Sequence, residues 1–590
     1  MSAPFSTLAE MFLQIVYREL KRKRRDFVRF KRDGVWHDLS AEEFFRRVVR
    51  LSAALLRAGL APGDRVAILS ENRPEWAIAD YACIGAGLVI VPIYPTLTAE
   101  QTRFILEDSG ARAIFVSDAT QQAKVESVRA QLPNLARVIS MSTDLDAIYG
   151  TGAGEALGAF VARCRDEIHS DALFSILYTS GTTGTPKGVM LTHRNLVSNV
   201  LGSRKLVDEH DVALSFLPLS HIFERMADYT FYYHGATIAY LGSIDEVPAA
   251  LAEVKPTVMC AVPRFFEKLY ARVIEQVNLA PPLRQKMFWW AVGVGKRRLA
   301  STLAGKHVPL TVEMQFAIAN ALVFAKMRER MGGRLRIVVS GSAPLARELA
   351  EFFLACGTTL LEGYGLTETS PVLCANVPGA IRLGTVGRAI TGIELKIAED
   401  GEILARGDSI MAGYYKRPDE TAEAIVDGWF HTGDIGHIDA DGYLTITDRK
   451  KDLLKTAGGK FVAPQPIENK LKLIPYVKSA VVLGDKRKFV SALLVVDLEK
   501  LSAYAKSQGI AFEKPTELLT NPQINAFMQS LVDAATPDLA HFERIKKLLL
   551  VDRDFSIADG TLTPTMKARR SAVESYFKAG IDGLYDEAAE

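Results

Sequence analysis

YTSGTTGTPKGV, residues 178–189, places hydroxyl side chains, glycines and one lysine in a single short loop. The apolar run Phe174–Tyr178 precedes the loop and Gly188–His193 follows it, so it is expected to join two strands. Glycines leave backbone N–H groups free to point at an anion, and a lysine adds a mobile positive charge. The stretch therefore predicts a polyphosphate-binding loop, formed by Thr179, Ser180, Gly181, Thr182, Thr183, Gly184 and Lys187.

This loop is not a Walker A motif, which needs Gly-Lys-Ser/Thr at the start of a helix. Pro186 precedes Lys187 and Gly188 follows it, so the chain continues into a strand. The missing Gly-Lys-Ser disfavours a P-loop phosphotransferase. A flexible Gly/Thr turn in a surface hairpin is the remaining alternative.

Composition and charge narrow the class of protein. The chain has 590 residues, 48% hydrophobic and 24% charged, which is typical of a globular protein with several domains. Its 71 basic and 69 acidic residues give a formal net charge of +2, so nothing indicates a nucleic-acid partner. The five cysteines are scattered without a CxxC pair, which argues against disulfides and zinc and favours the cytoplasm.

The N-terminal segment and the apolar runs bear on localisation. Glu10 and Glu19 interrupt the N-terminus, which lacks the apolar core of a signal peptide. No apolar run is expected to reach the ~18 to 20 residues of a spanning helix, and Ile84–Tyr94 is too short. Any membrane contact would then be peripheral, on the inner face. The basic run Lys21–Arg25 could touch anionic headgroups, although a solvated helix end is the simpler interpretation.

The order of helical and strand patterns predicts an α/β fold. Up to about residue 170, helical patterns such as Ala41–Ala58 alternate with apolar strands such as Ala113–Val116, and the alternation resumes over residues 190–375. Such alternation predicts parallel sheets that are covered on both faces. Short alternating runs between Gly384 and Thr447 indicate an antiparallel β section.

The charged run Asp448–Asp452 is the predicted domain boundary. It divides the chain into a large N-terminal domain, residues 1–448, and a small α+β C-terminal domain, residues 449–590. In the smaller domain we expect strands at Ser479–Leu483 and Phe489–Asp497, followed by helices to the end.

Phe288–Val292 is unusually apolar for its surroundings. It could line an apolar substrate channel, lie on a membrane, or belong to a buried helix, which is the usual explanation for an aromatic cluster.

A second motif is EGYGLTET, residues 362–369. Its two glycines allow close approach of a flat ligand, and the ring of Tyr364 can stack on a base. Thr367 can donate to a phosphate, and Glu368 can hold Mg²⁺, which prefers oxygen ligands. The motif therefore predicts a nucleotide and magnesium site that comprises Glu362, Gly363, Tyr364, Gly365, Thr367 and Glu368.

Two further segments follow predicted strands. LPLSHIFER, residues 217–225, places His221 at a strand end; His221 and Glu224 suggest a metal, but no other His or Cys lies at ligand spacing. The strand Leu335–Ser340 is followed by Gly341, Ser342, Ala343 and Pro344. Ligands bind at the carboxyl ends of parallel strands, although this could be an ordinary strand-to-helix turn.

In this order the motifs resemble the adenylate-forming superfamily, which contains acyl-CoA synthetases, luciferases and nonribosomal adenylation domains. They extend from Tyr178 to Lys567, nearly the whole chain. The resemblance implies a C-terminal domain that is mobile. The sequences of residues 217–225, 262–268 and 457–464 are most similar to those of long-chain fatty acyl-CoA synthetases.

The resemblance also implies roles for single residues. Residues 341–344 and 362–365 would flank the adenine, Thr367 would contact the α-phosphate, and Thr183 and Glu368 would hold Mg²⁺. His221 would lie beside the acyl carboxylate, and Lys567, in TLTPTMK, would be the catalytic lysine. Asp434, at an expected tight turn, would bind the ribose. The remaining nucleotide, hinge and CoA positions would be Ile446, Arg449, Lys451 and Gly458.

The implied activity is ATP-dependent conversion of a long-chain fatty acid to an acyl-adenylate and then to acyl-CoA, with release of AMP and pyrophosphate. ATP, Mg²⁺, fatty acid and CoA would be required. A fatty acyl-AMP ligase that loads a carrier protein and a CoA ligase for another carboxylic acid remain alternatives. The intact Lys187, Glu368, Asp434 and Lys567 argue against a silent lipid- or nucleotide-binding protein. Whether the protein is a monomer or a homodimer stays open.

Overall fold

The structure is a computed structural model that describes residues 4–150, 156–179, 186–203, 206–556, 559–563 and 568–586. The strands are, in chain order, β1 Val28–Arg32, β2 Val35–Leu39, β3 Arg65–Leu69, β4 Val89–Ile93, β5 Ala113–Val116, β6 Arg137–Ser140, β7 Leu173–Thr179, β8 Lys187–Thr192, β9 Val212–Ser215, β10 Thr237–Tyr240, β11 Val258–Ala261, β12 Ile337–Ser340, β13 Thr359–Gly365, β14 Val372–Ala375, β15 Arg388–Ala389, β16 Ile393–Ile397, β17 Glu402–Gly407, β18 Gly413–Tyr414, β19 Ile425–Val426, β20 Trp429–Ile438, β21 Leu444–Arg449, β22 Leu454–Lys455, β23 Phe461–Val462, β24 Val477–Leu483, β25 Val490–Val496 and β26 Ile545–Val551.

The helices are α1 Leu8–Lys21, α2 Ala41–Arg57, α3 Pro74–Gly85, α4 Ala99–Ser109, α5 Ala119–Glu126, α6 Leu145–Gly150, α7 Ala156–Ala162, α8 His193–Gly202, α9 Ile222–His234, α10 Val247–Val254, α11 Pro263–Asn278, α12 Pro282–Leu303, α13 Leu310–Ala319, α14 Ala325–Glu329, α15 Arg347–Ala355, α16 Pro418–Ala424, α17 Pro464–Leu471, α18 Leu498–Ser507, α19 Pro522–Ala535, α20 Arg570–Tyr576 and α21 Lys578–Asp586.

Two large sheets build the N-terminal part of the molecule. The first runs in the order β18-β8-β7-β4-β3-β5-β6, and its strands from β7 to β6 are parallel. The second runs β15-β14-β13-β12-β11-β9-β10-β1-β2, with parallel pairing from β13 to β1 and antiparallel strands at both edges. The inner strands β4, β5, β10 and β11 are wholly buried, as expected for sheets covered on both faces.

An antiparallel sheet, β16-β17-β20-β19 with β21 beside β20, follows the two large sheets. Here one expectation was wrong: Asp434 lies within β20 and not at a tight turn. Gly433 has φ +70°, so the backbone bends locally while pairing continues with Asp434 opposite Arg449. A glycine followed by an aspartate is typical of both arrangements, so the sequence alone did not distinguish them.

The C-terminal part contains the β22–β23 hairpin and the sheet β24-β25-β26. Its buried side chains form cores separate from the large one in the N-terminal sheets. The expectation of helices after β25 was wrong for β26, which pairs in parallel with β25. Lys546 and Lys547 interrupt the apolar pattern of that strand, so the sequence did not indicate it. The α/β class and the order of parallel sheets, antiparallel section and small α+β part are confirmed.

The helical segment before β12 is irregular. It consists of α13, a π-helical turn at Asn320–Phe324, and α14. Within the described residues, Leu310–Glu329 is also one helix that is long and apolar enough to cross a membrane by length and composition, so the expectation that no run qualified was too strict. Phe288, Ala291 and Val292 on α12 are buried, whereas Trp289 and Trp290 are 47% and 40% exposed.

Candidate active site

A cavity of about 2360 Å³ lies at the carboxyl ends of the parallel strands of both large sheets. Residues that follow β4, β7, β9, β11 and β12 line its wall, and the C-terminal part closes it from the other side. The predicted site residues on this wall are Thr179, Lys187, His221, Gly341, Ser342, Ala343, Pro344, Gly363, Tyr364, Gly365, Thr367, Glu368 and Arg449. The motifs that are far apart in sequence therefore meet at one site.

The predicted polyphosphate loop joins β7 to β8 at the cavity. Thr179 and Lys187 pair across the two strands and both line the wall. Ser180, Gly181, Thr182, Thr183 and Gly184 lie outside the described residues. The Lys187 ammonium forms an ion pair with Glu420 and lies 5.2 Å from the centre of the Tyr414 ring. The lysine is thus held at the cavity by partners that sequence inspection did not reveal.

Glu368 follows β13 in a short 3₁₀ turn that also contains Thr367. Its Oε1 accepts a 3.0 Å hydrogen bond from the Tyr414 hydroxyl, and its backbone carbonyl accepts from Met411 N–H at 2.8 Å. Burial raises the pKa of the Glu368 carboxyl, and the Tyr414 hydrogen bond opposes that shift. A carboxylate aimed into a cavity in this way suits a cation that is shared with a charged ligand.

Close backbone approach explains one glycine of the second motif. A Cβ at Gly365 would collide with the carbonyl oxygen of Pro371, so this position needs glycine. Gly363 has more room, since its nearest neighbour would be Cys374 O at 3.6 Å. Glu362 does not line the cavity; burial raises its pKa to about 8, which favours the neutral acid near neutral pH.

Tyr364, Asp434 and Arg449 form a connected group at the start of the C-terminal part. The Tyr364 hydroxyl donates to Asp434 Oδ2 at 2.6 Å, and Arg449 Nε lies 3.2 Å from Asp434 Oδ1. Asp434 is buried behind the wall that Tyr364 and Arg449 form. Ile446 is half-buried on the same β21 strand as Arg449 and is not among the lining residues.

His221 caps the N-terminus of α9. Its Nδ1 accepts a 3.1 Å hydrogen bond from Phe223 N–H, so a neutral ring carries its proton on Nε2. The ring of Phe223, two residues further on, packs closely against Gly341. A Cβ at Gly341 would lie only 2.9 Å from this ring. His221 is thereby fixed between the strand ends β9 and β12.

Part of the cavity wall is apolar. It is formed by Val207, Met226, Phe231, Leu251, Val258, Phe265, Leu269, Val273, Met331 and Ile337. Leu269 and Val273 lie on one face of α11, as their spacing of four residues requires. None of residues 288–292 lines the cavity, so this wall is not the aromatic cluster considered as a channel.

Comparison with known proteins places the chain in a family. The model of the AMP-binding enzyme family matches residues 18–415, and the model of its C-terminal domain matches residues 451–589. The chain is an AMP-binding enzyme.

Curated relatives match over most of their length. Long-chain-fatty-acid--CoA ligase FadD15 of Mycobacterium tuberculosis is 36% identical, over 99% of this chain and 99% of that protein. Long-chain-fatty-acid--CoA ligase 1 of Homo sapiens is 33% identical, over 92% of this chain and 82% of that protein.

Solved structures share the fold at lower identity. The adenylation domain of a carboxylate reductase from Mycobacterium chelonae superposes with a TM-score of 0.76 at 24% identity, covering 99% of this chain and 92% of that one. ATP-bound MatB from Rhodopseudomonas palustris gives 0.71 at 24% identity, covering 97% and 99%.

In this AMP-binding enzyme the residues that flank the predicted lysine segment line the cavity, whereas the predicted CoA position does not. Lys567 lies outside the described residues, but Thr563 and Ala568, on either side of residues 564–567, both line the cavity. Lys451 also lines it, whereas Gly458 is exposed between β22 and β23 and is not among the lining residues.

A buried ionic group beside the site was not found from the sequence. Arg225 is 1% exposed, and its guanidinium forms an ion pair with Asp80 of α3 and donates to Ser175 Oγ of β7 at 2.8 Å. The centre of the Phe174 ring lies 5.0 Å from the Cζ atom of this guanidinium. Arg225 therefore ties α9, and with it His221, to the sheet that carries the polyphosphate loop.

Glu224 and Asp228, one turn apart on α9, form a second buried group. Burial raises the pKa of both carboxyls, that of Asp228 to about 7. The Tyr240 hydroxyl donates to Asp228 Oδ2 at 2.6 Å. The spacing of these two residues was visible in the sequence, but their burial depends on β9, β10 and β11 and was not.

Proposed function

We propose that the protein converts a long-chain fatty acid and ATP to an acyl-adenylate and pyrophosphate, and then transfers the acyl group to CoA with release of AMP. The observation that carries this proposal is the single cavity that joins the ends of the polyphosphate loop, Glu368 and a largely apolar wall. An anionic nucleotide and an apolar chain can therefore lie in contact, and the relatives named above are long-chain-fatty-acid CoA ligases.

In the first half-reaction a carboxylate oxygen of the acid attacks the α-phosphorus of ATP. The new O–P bond forms as the P–O bond to pyrophosphate breaks. The obstacle is electrostatic, because an anion approaches a polyanion. Lys187 and Lys567 would offset that repulsion at the phosphates, while His221 would hold the acyl carboxylate at the strand ends.

The nucleotide would bind between the ends of β12 and β13. The backbone of residues 341–344 and Gly363 would contact the adenine, with the Tyr364 ring beside it. Asp434 and Arg449, which are joined by an ion pair, suit the ribose hydroxyls and the phosphate side, with Ile446 behind them. Both interact electrostatically with Glu368, the residue after Thr367, which supports this assignment.

Mg²⁺ fits the donor set at Glu368. Within the described ranges no group of three or more His, Cys, Asp or Glu side chains could hold a metal on its own. Mg²⁺ takes one or two carboxylates and completes its shell with phosphate oxygens and water, so Glu368, with Thr183, would hold it together with ATP. Bound there, it would neutralise developing charge on the phosphates.

In the second half-reaction the CoA thiolate attacks the acyl carbon of the adenylate. A C–S bond forms, and the C–O bond to AMP breaks. We infer that the chain consists of domains 1–448 and 449–590, which meet at Asp448 and Arg449, and that rotation near Lys451 exchanges Lys567 for Gly458 at the cavity. The positions of Thr563, Ala568 and Gly458 support an adenylate-forming arrangement here.

We further propose a cytoplasmic protein in peripheral contact with the inner face of the membrane, as a monomer or homodimer. Lys21–Arg25 is a poor contact surface, because Arg22 pairs with Glu209 at 2.6 Å and Arg24 donates to Gly235 O at 2.7 Å. Most of the exposed large apolar side chains lie elsewhere in the chain.

The test measures AMP release from ATP and Mg²⁺ with a ladder of fatty acids, each with and without CoA. Sustained turnover only with CoA, with a maximum at long chains, is the expected result. Adenylate formation without CoA-dependent turnover would instead identify a carrier-protein ligase. No turnover with any fatty acid would reject the substrate class. The Glu368→Gln variant, which keeps the side-chain size, controls for contaminating activity.

A further inference from the structure

Helices α12, α13 and α14 form an antiparallel hairpin, residues 282–329, that projects exposed apolar side chains. Arg297 donates to Gln315 at 2.9 Å and Arg298 to Glu313 at 3.0 Å, which fixes the pairing of α12 with α13. Leu310, Met314, Ile318 and Leu322 follow one another at four-residue spacing and are 74%, 62%, 53% and 45% exposed. Scattered exposed apolar residues are ordinary, but a continuous stripe of four is not.

Aromatic side chains and charges accompany this stripe. Trp289 and Trp290 of α12 are exposed on the same hairpin, and indole rings favour the interface between lipid and water. The hairpin residues 282–329 contain eight Lys or Arg and two Asp or Glu, a formal charge of +6, whereas the whole chain carries +2. The hairpin thus carries a net positive charge, which complements an anionic lipid surface.

The apolar part of the cavity reaches the surface at the base of this hairpin. Gln276, on the last turn of α11, and Arg330, directly after α14, both line the cavity and are both exposed. The Arg330 guanidinium donates to the Gln276 amide oxygen across this opening. Leu279, directly after α11, and Leu283, in the first turn of α12, are 83% and 79% exposed. A fatty acid that left a bilayer here would pass directly to the apolar wall.

We propose that the α12–α14 hairpin docks the enzyme on an anionic phospholipid bilayer and that the acyl substrate enters from the lipid between Gln276 and Arg330. The proposal deepens the proposed function and rests on it for the identity of the acyl chain. The hairpin lies in the interface and does not span the bilayer, because α13 stays packed on α12 through the Arg298–Glu313 pair. An exposed stripe could otherwise bury itself against a second copy of the chain, which the experiment distinguishes.

The test uses the full-length protein and vesicles of phosphatidylcholine with or without about 30% phosphatidylglycerol. Sedimentation with vesicles is compared for the wild type, for Met314→Gln/Ile318→Gln/Leu322→Gln, and for Lys286→Glu/Lys326→Glu. All five positions are on the hairpin and their side chains are exposed, so folding should be preserved. The matched control, Val35→Gln/Val426→Gln, removes exposed apolar side chains elsewhere.

The wild type and the control are expected to bind anionic vesicles, less tightly at high salt, and both hairpin variants are expected to bind at least about tenfold more weakly. Turnover with palmitate delivered in vesicles should fall in parallel, whereas turnover with water-soluble octanoate should not change. Absent turnover in the wild type would reject the proposed function but leave the vesicle result intact. Equal binding by all proteins, or a wild-type dimer that becomes monomeric in the apolar variant, would overturn the docking proposal.

Discussion

The Tyr414 hydroxyl donates a 3.0 Å hydrogen bond to Glu368 Oε1, and its ring lies 5.2 Å from the Lys187 ammonium. One side chain therefore positions both the carboxylate of the second motif and the lysine of the first. Tyr414 is on β18, which pairs with β8 at the edge of the first sheet. The two motifs are therefore coupled through this residue.

Tyr414→Phe should keep the ring and lose the orientation of Glu368. Groups that hold a metal-binding carboxylate typically contribute about 10- to 100-fold to metal affinity or activity. We expect kcat/KM for ATP to fall by about tenfold and the Mg²⁺ concentration for half-maximal rate to rise. Pyrophosphate release at varied Mg²⁺ measures both quantities. Tyr415→Phe, which alters a neighbouring ring outside the cavity lining, should remain within twofold of wild type.

Lys567→Ala and Gly458→Leu should affect opposite halves of the reaction. Loss of a preformed positive charge at the phosphates removes about 3 to 4 kcal/mol of transition-state stabilisation, so adenylation by Lys567→Ala should fall by about 10²- to 10³-fold. Its conversion of supplied acyl-adenylate and CoA to acyl-CoA should persist. Pre-steady-state assays of each half-reaction provide the measurement.

Gly458→Leu is the matched counterpart. A Cβ at Gly458 would meet only Thr456 Oγ1, at 3.9 Å, so the substitution is tolerated in this arrangement. Adenylation should proceed normally while thioester formation slows. Equal losses in both half-reactions for either variant would contradict the exchange of Lys567 and Gly458 at the cavity.

Val273→Trp should shorten the space for the acyl chain. Val273 lines the apolar wall on α11, one turn before Gln276 at the surface. Each methylene of the acyl chain that no longer fits loses about 0.8 kcal/mol of burial free energy, which corresponds to about a fourfold decrease in kcat/KM. The chain-length optimum should therefore move to shorter acids while activity on the shortest substrates is kept. Ala271→Trp, exposed on the same helix and outside the cavity, should leave the profile unchanged.

The fold class could be predicted from the sequence because the local helix and strand patterns agree with the elements that pack in the folded protein. Ala113–Val116 is a strand with the expected bounds, and Thr98 and Gly110 begin and end α4 by capping that the residue types predict. It missed β26, where two lysines break the apolar pattern of a strand that only pairing with β25 stabilises. It also placed Asp434 at a turn, since a positive φ at Gly433 is compatible with both outcomes.

The candidate site was predicted where a motif carries its own chemistry, as at Glu368 and Lys187. Their partners Tyr414 and Glu420 have no local signature, because each becomes relevant only when β18 and α16 pack beside β8. The same holds for Asp80, whose pairing with Arg225 joins residues 145 positions apart. Contacts of this kind follow from the fold and not from spacing along the chain.

Asp228→Asn should make the protein more stable in neutral and alkaline solution. Burial raises the pKa of Asp228 from 3.8 to about 7, so the folded state favours the protonated acid while the unfolded chain ionises it. The folded wild type therefore loses stability progressively as pH rises from about 4 to 7 and keeps that loss above pH 7. Asparagine carries no charge, and its oxygen can still accept from the Tyr240 hydroxyl.

We expect the free energy of unfolding of Asp228→Asn, measured by denaturation, to exceed that of the wild type at pH 8 by a few kcal/mol, since each pKa unit corresponds to ~1.4 kcal/mol, and to approach it near pH 4. Asp211→Asn is the control, because its effect on stability at pH 8 should have the opposite sign. Arg336 donates to Asp211 Oδ1 at 2.8 Å and helps to hold the pKa of that carboxyl below its usual value, so its removal should destabilise the protein at pH 8. A pH-independent difference for Asp228→Asn would show that packing, and not ionisation, dominates at this position.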